Sequence, residues 1–349
     1  MNQQTTAVCT VFEGHYHKGV AALVNSLYAQ GFEGNIWIGY KGELPPWAVI
    51  EPIVIARNEA TEGGKEVMKV RDNLTLYFMK LPTEVFLPYY KPDFMLDILN
   101  KYQSDAQRII YLDCDIIVKA SFSYFEEWTD YGVALCEDVN SPISTSDPLR
   151  FQWENYFKQY NMTVRRDNAQ YVNGGFIGLN RRSKAFLETW RDVQNLILED
   201  MNKRKADVRL SHKSDKESGL KDRGYLFYRT DQDALNVAKD VTSETVSIVD
   251  SSGMDFQGIG FIMSHAASKI KPWEKNWLKF VLKNGQRPSP TDRIFLDYVT
   301  TPLSIYSKNE LKFKKIHLKI ASALARFFAW WFHTEFTENT EFLTFFFVI

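Results

Sequence analysis

The sequence predicts an α/β fold built on a doubly wound, mostly parallel mixed sheet, followed by a C-terminal helical appendage rich in basic and aromatic residues. Three observations predict it. Short apolar runs of strand character alternate with helical patterns in the first third of the chain, which is the rhythm of βαβ units. One of these runs, Arg108–Leu112, ends directly in acid, and such sheets bind ligands beyond the carboxyl ends of their strands. Near residue 305 the composition changes: lysines crowd Ser307–Lys319 and aromatics crowd Phe327–Phe347.

The elements follow in order. Thr6–Phe12 reads as a buried strand, Gly19–Gln30 as a helix and Asn35–Tyr40 as a second strand, with Ile50–Arg57 as a third. Asp93–Tyr102 has helical spacing, and Pro92 sits at its start, where the missing N–H costs nothing. Arg108–Leu112 and Tyr131–Cys136 read as strands. Asn140–Asn168 is polar and aromatic without a period and reads as an excursion from the sheet. Tyr171–Leu179 is an apolar run interrupted by Gly174, Gly175 and Gly178, and Ser183–Leu198 is a helix. Asn202–Gly224 is dense in charge and reads as a solvated loop. Asp231–Asp240 is a short helix, and Gly258–Ser264 is expected to be the last core strand. These boundaries predict one main domain over residues 1–300, with a first half of about 1–120 and a second half of about 121–300, plus an appendage over 301–349.

Composition excludes several classes. The 349 residues are 45% hydrophobic, ample for a sizeable core. The formal net charge is −1, so no global field favours nucleic acid. Three cysteines, Cys9, Cys114 and Cys136, lie in apolar runs without a CxxC pair; this excludes a disulfide framework and points to a reducing compartment. The N-terminus lacks the pattern of a signal peptide, and no stretch reaches the roughly 18 uncharged apolar residues of a membrane span. The expected location is cytoplasmic, at most peripheral on the inner face of a membrane.

Four segments carry chemistry. In Tyr111-Leu-Asp-Cys-Asp-Ile-Ile-Val118, alternate residues of an extended chain face one side, so Asp113 and Asp115 can point at one ion. Carboxylates suit Mn²⁺ or Mg²⁺, which can hold a diphosphate and stabilise its departure. Two solvated acids at a strand end are the bland alternative, but the apolar residues on both sides favour the metal. In Ser264-His-Ala-Ala-Ser-Lys-Ile-Lys-Pro-Trp273, His265 suits the same ion and Lys271 a phosphate; alone, a capping His and a surface Lys would explain them. In Tyr171-Val-Asn-Gly-Gly-Phe-Ile-Gly-Leu-Asn180, Gly174 permits close approach of a ligand to the main chain. Asn173 offers a donor and an acceptor to sugar hydroxyls. In Thr230-Asp-Gln-Asp-Ala-Leu-Asn236, Asp231 and Gln232 stand at a helix start, where simple capping competes.

These four pieces, in this order, resemble the retaining GT-A glycosyltransferases of the glycogenin and lipopolysaccharide galactosyltransferase type, glycosyltransferase family 8. The resemblance covers roughly residues 5–283. It includes Tyr16-His-Lys-Gly19 and Asn25-Ser-Leu27 near the first helix, and its most specific parts are the Asp-x-Asp and the Lys-Pro-Trp. It implies a GT-A fold and transfer of a hexose, glucose or galactose favoured, from a UDP-sugar to a glycan or lipid-linked acceptor hydroxyl with retention. It implies that Asp113, Asp115 and His265 bind the metal, that Lys271 holds the diphosphate, and that Asn173 and Asp231 contact the donor sugar. Gln232 would sit near the anomeric carbon, with Asp231 as the alternative nucleophile. Lys91 would be the basic residue that precedes the Asp-x-Asp, and Thr10 to Phe12 would hold uracil and ribose. Two positions depart from the family pattern: Gly174 follows the strand Asn in place of Ala or Ser, and Ser268 replaces a glycine three residues after the His.

Two rival classes remain. A sugar nucleotidyltransferase shares the sheet and the acids but usually opens with a Gly-rich basic loop, and Glu13-Gly-His-Tyr-His-Lys18 is not one. A membrane-bound scaffold without turnover would not need both metal and Lys-Pro-Trp motifs. In the tail, Lys312, Lys314, Lys315, Lys319 and Arg326 stand beside Phe327, Phe328, Trp330 and Trp331. This mixture predicts that residues 307–333 form a helix on an anionic membrane surface, with packing on the catalytic domain as the alternative.

Overall fold

The computed structural model describes residues 5–48, 65–210, 226–227, 229–258 and 260–338. The expected strand Ile50–Arg57 lies outside them. Among the described residues an eight-stranded sheet forms the centre. Its strands are β1 (Thr6–Glu13), β2 (Gly34–Lys41), β3 (Lys65–Arg71), β4 (Leu74–Lys80), β5 (Arg108–Leu112), β7 (Val133–Glu137), β8 (Val172–Asn180) and β9 (Val246–Val249), and they lie in the order β3-β4-β2-β1-β5-β8-β7-β9. The pairs β4–β2, β2–β1, β1–β5 and β7–β9 are parallel. β8 runs antiparallel between β5 and β7, and β3 antiparallel to β4. The predicted mostly parallel mixed sheet is therefore present. β3, β4 and β9 were not anticipated, although β4, LTLYFMK, alternates buried and half-buried residues as a strand does.

Helices cover both faces. On one side α1 (His17–Ala29) and α3 (Phe122–Trp128) pack against Val8, Ile36, Ile38 and Phe176. On the other, α2 (Lys91–Asp97), α4 (Pro148–Lys158), α5 (Lys184–Leu210) and α6 (Thr230–Val241) pack against Cys9, Trp37, Tyr111 and Ile177. Alternate residues of each central strand thus enter opposite cores, which is why these strands read as unbroken apolar runs.

Three expectations need correction. Asn202–Leu210 is not loop: α5 continues through it, because charged residues with good helix propensity extend a helix that already packs at its N-terminal end. The rest of that stretch, 211–225, lies outside the described residues. Asn140–Asn168 contains α4, started by Asp147, whose side chain accepts the Leu149 N–H at 2.8 Å, and by Pro148. Gly258–Ser264 is not a core strand. Only Met263–His265 (β10) is extended, and it pairs antiparallel with β6 (Ile116–Val118) in a separate two-stranded sheet. Gly258 adopts φ 78°, which breaks the strand before it.

That small sheet matters because it sets His265 beside the Asp113–Asp115 turn. Two short helices follow, α7 (Trp277–Asn284) and α8 (Pro290–Phe295), and then the long α9 (Lys308–Glu338). α9 buries Leu318, Ala321 and Ala325 in a third apolar cluster with Trp273, Trp277, Phe295, Leu296 and Val299. One face of the tail helix therefore packs on the body of the protein. Among the described residues no helix is long and apolar enough to cross a membrane.

Candidate active site

β1 and β5 run parallel with Cys9 opposite Tyr111, so the turn after β5 emerges at the carboxyl side of the sheet, beside the last residues of β1. The Asp113 N–H donates to Gly175 O at 2.7 Å, continuing the β5–β8 ladder by one residue and tying the acidic turn to the glycines of β8. Gly19 in α1 lets that helix lie under the turn. A Cβ there would collide with the Cys114 carbonyl and come within 2.7 Å of the Trp273 ring.

Asp113, Asp115 and His265 each offer a ligand atom, and these atoms lie within 4.8 Å of one another. His265 Nε2 is 3.2 Å from Asp115 Oδ1. The residues fit a divalent cation on two observations. The donor set is two carboxylates and an imidazole, and a Cβ on Gly175 would meet His265 Cε1 at 2.7 Å, Asn173 Oδ1 at 2.9 Å and Asp113 Oδ2 at 3.2 Å, so the backbone is kept bare between His265 and Asp113. His265 Nδ1 is also buried without a hydrogen-bond partner.

Two lysines flank this centre, one on each carboxylate. Lys91, 3% exposed at its side chain, lies 2.9 Å from Asp113 Oδ1 and donates to Gly174 O at 2.9 Å, with Asp231 Oδ2 at 3.8 Å. Burial by itself would lower its pKa, but Asp113 and Asp231 outweigh that and raise it, so the ammonium is held charged. Tyr111 donates to the same Asp113 oxygen at 2.7 Å. Lys271 donates to Asp115 Oδ2 at 2.6 Å and to Ala266 O at 2.8 Å. Burial works to raise the Asp115 carboxyl, yet His265 and Lys271 prevail and hold it well below the usual carboxylate range.

Across the cleft stand β8 and the start of α6. Asn173 donates to Asp138 Oδ2 at 2.7 Å and faces Gln232 Oε1 at 3.4 Å, while the Gly174 N–H also points at Gln232 Oε1, 3.4 Å away. A Cβ at Gly174 would stand 3.6 Å from Asp231 Oδ2. α6 is locked to β8 in two ways. Asn236 accepts from the Val172 N–H and donates to the Val172 carbonyl, both at 2.8 Å. Tyr171 donates to Asp233 at 2.6 Å. Burial raises the Asp231 carboxyl, with Lys91 opposing it.

Lys91, Asn173, Gly174, Asp231 and Gln232 thus gather on one side of the carboxylates, and His265 and Lys271 on the other. Thr10 and Phe12 do not join them. Both are buried in β1, and Phe12 packs on Tyr40 with ring centroids 6.0 Å apart. Thr10 Oγ1 is buried without a hydrogen-bond partner, and Glu13 at the carboxyl end of the strand is exposed. Ser268, where a glycine was expected, turns its hydroxyl to Ile270 O at 2.9 Å. Sequence reasoning missed Asp138, which is 5% exposed and bonded to Asn173. Its signal was available: it follows Val133–Glu137 as Asp113 follows Arg108–Leu112, an acid at the carboxyl end of a sheet strand.

No protein-family model matches the sequence, and no curated protein does. Solved structures do match. The bifunctional glycosyltransferase WbbM, in its apo form, superposes with a TM-score of 0.50 at 13% identity, over 89% of this chain. The chain spans about half the length of that protein, 52%. LgtC, as an active-site mutant and as a galactosyltransferase complex with donor and acceptor sugar analogues, matches at 16% identity, with TM-scores of 0.46 and 0.44, over 88% of this chain and 99% of LgtC. The likeness to WbbM, together with the sheet order, shows that this chain has the GT-A fold, as its sequence led one to expect.

Proposed function

We propose that the protein is a metal-dependent glycosyltransferase that moves a hexose, glucose or galactose, from a UDP-sugar to a hydroxyl of a glycan or lipid-linked acceptor with retention at the anomeric carbon. The observation that carries this is the meeting of Asp113, Asp115 and His265 at the carboxyl end of the sheet, with Lys91 and Lys271 on their flanks and Asn173, Asp231 and Gln232 opposite. That arrangement provides one place for a cation, two ammonium groups for a diphosphate, and a polar wall for a sugar. Asp113, Asp115 and His265 would hold Mn²⁺ or Mg²⁺, which when bound supplies positive charge to a departing diphosphate.

The chain's own residues do the rest. Lys271 reaches the diphosphate and stabilises the UDP leaving group. Lys91 orients the donor between Asp113 and Asp231. Asn173, fixed by Asp138, hydrogen-bonds the sugar. Gln232 is a poor nucleophile, so it stabilises charge at the anomeric carbon while the acceptor attacks from the side the UDP leaves, and a leaving-phosphate oxygen takes the acceptor's proton. Asp231 is the carboxylate closest to hand if attack by the protein comes first.

The acceptor reading draws on α9. Phe313, Ile316 and Ile320 are exposed along one stripe and Lys308, Lys312, Lys315 and Lys319 along the next. An apolar stripe bordered by lysines suits an anionic membrane surface, which would place residues 307–333 there and bring a lipid-linked acceptor within reach of a cytoplasmic, peripheral enzyme. The test is UDP release across a panel of UDP-sugars, with and without EDTA, followed by NMR of the product's anomeric proton. An α product from a UDP-α-hexose, formed only with metal, is expected. A β product or metal-independent release overturns the reading.

A further inference from the structure

α8 and α9 enclose a groove of about 760 Å³ on the side of α8 away from the acidic turn. It is lined by Arg287 and Arg293 from the α8 segment and by Lys315, Lys319 and Arg326 from α9, with Asp297 as its only carboxylate. None of the five cations has a carboxylate within 4.0 Å among the described residues. Cations buried elsewhere, Lys91, Arg150, Lys239, Lys271 and Lys275, each have a carboxylate partner.

The groove is held open by packing. Leu318, Ala321 and Ala325 seat α9 on Trp277, Phe295 and Leu296, while Leu296 and Leu318 also form the apolar floor. On α9 the spacing of Lys315, Lys319 and Arg326 keeps them on one stripe. On the facing wall, Arg293 sits on a helix pinned by the Ser289 capping box and by the buried Asp292–Lys275 pair at 2.9 Å. The cations, all exposed, therefore stand on two facing walls. Such a concentration of like charge is unfavourable until an anion enters.

We propose that this groove is a second ligand site, separate from the donor cleft, that binds a phosphate monoester or diphosphate group. Two arginines provide the forked donors that match phosphate oxygens, and two lysines and Arg326 complete the charge. The apolar floor favours a phosphate carried on a lipid, and α9's exposed Phe313, Ile316 and Ile320 form an apolar stripe on the far side of the groove's lysines. The site rests on the groove alone and does not depend on the transferase reading.

The test compares two double variants of the full chain that each remove two positive charges: Arg293→Gln with Arg326→Gln in the groove, and Lys279→Gln with Lys283→Gln on α7, outside it. Binding is measured to vesicles of phosphatidylcholine with and without phosphatidic acid, and to inorganic pyrophosphate in EDTA, with thermal melting to check the fold. The groove pair should weaken phosphatidic acid binding by about ten-fold or more, the expected effect of losing forked charge-assisted contacts, while the outer pair weakens it by less than about three-fold. Competition by pyrophosphate identifies phosphate itself as the recognised group; binding to phosphatidic acid without such competition identifies the lipid headgroup. Equal losses in the two pairs would mean diffuse charge attraction and overturn the site, as would failure of the folded wild type to bind either probe.

Discussion

The Lys91 ammonium stands 2.9 Å from the Asp113 carboxylate, with 3% of the lysine side chain exposed. It joins the start of α2 to the turn after β5, and it reaches the Gly174 carbonyl of β8 as well. Removing it leaves Asp113 and Asp231 without their shared cation in a partly buried cleft. Lys91→Met should cost about 3–5 kcal/mol of stability, the usual penalty for breaking a buried pair, and should remove most turnover. Urea denaturation and UDP release measure the two effects separately.

Asp115 contacts both His265 and Lys271. Asp115→Asn should keep the fold but lose Mn²⁺ binding by isothermal calorimetry, along with nearly all turnover. EDTA should silence the wild type and Mn²⁺ restore it. Undiminished Mn²⁺ affinity in the variant would move the ion elsewhere.

Lys271 is expected to exchange Asp115 for a phosphate oxygen when UDP binds. A charge-assisted contact of this kind contributes about 1.5–3 kcal/mol. Lys271→Ala should weaken UDP binding by roughly ten-fold or more. Unchanged affinity by calorimetry would rule out this role.

Asp233 gives a pH dependence. Burial pushes its carboxyl up to about 6, against the pull of Tyr171 and of the Arg229 N–H. Its folded pKa exceeds its unfolded one, so its stabilising contribution is complete below about pH 4 and is lost as pH rises through about 6. A rise of about two units corresponds to roughly 3 kcal/mol at most. Asp233→Asn should flatten the stability profile between pH 4 and 6. A profile of unchanged slope there would assign the dependence to another group.

Much of this was legible in the chain. Thr6–Glu13, Arg108–Leu112 and Val172–Asn180 are central strands buried on both faces, so their apolar runs announce them. Asp113, Asp115, His265 and Lys271 stand in short, specific patterns. Edge strands β3 and β9 and helix α3 were not legible, because runs of four to seven residues are too short to establish a period. Asn202–Leu210 was misread because dense charge marks a solvated helix as readily as a loop.

The sequence by itself determined the central strands β1, β2, β5, β7 and β8, the acidic pair at a strand end and the basic character of the tail, since each depends on residues close together along the chain. Only the tertiary structure decided that His265 meets Asp115 across the β6–β10 pair, that Asp138 fixes Asn173, and that α9 lays one face on Trp277 while its basic stripe faces Arg293. Those relationships join segments far apart in sequence. They are set by which apolar faces bury one another, and no local spacing records that.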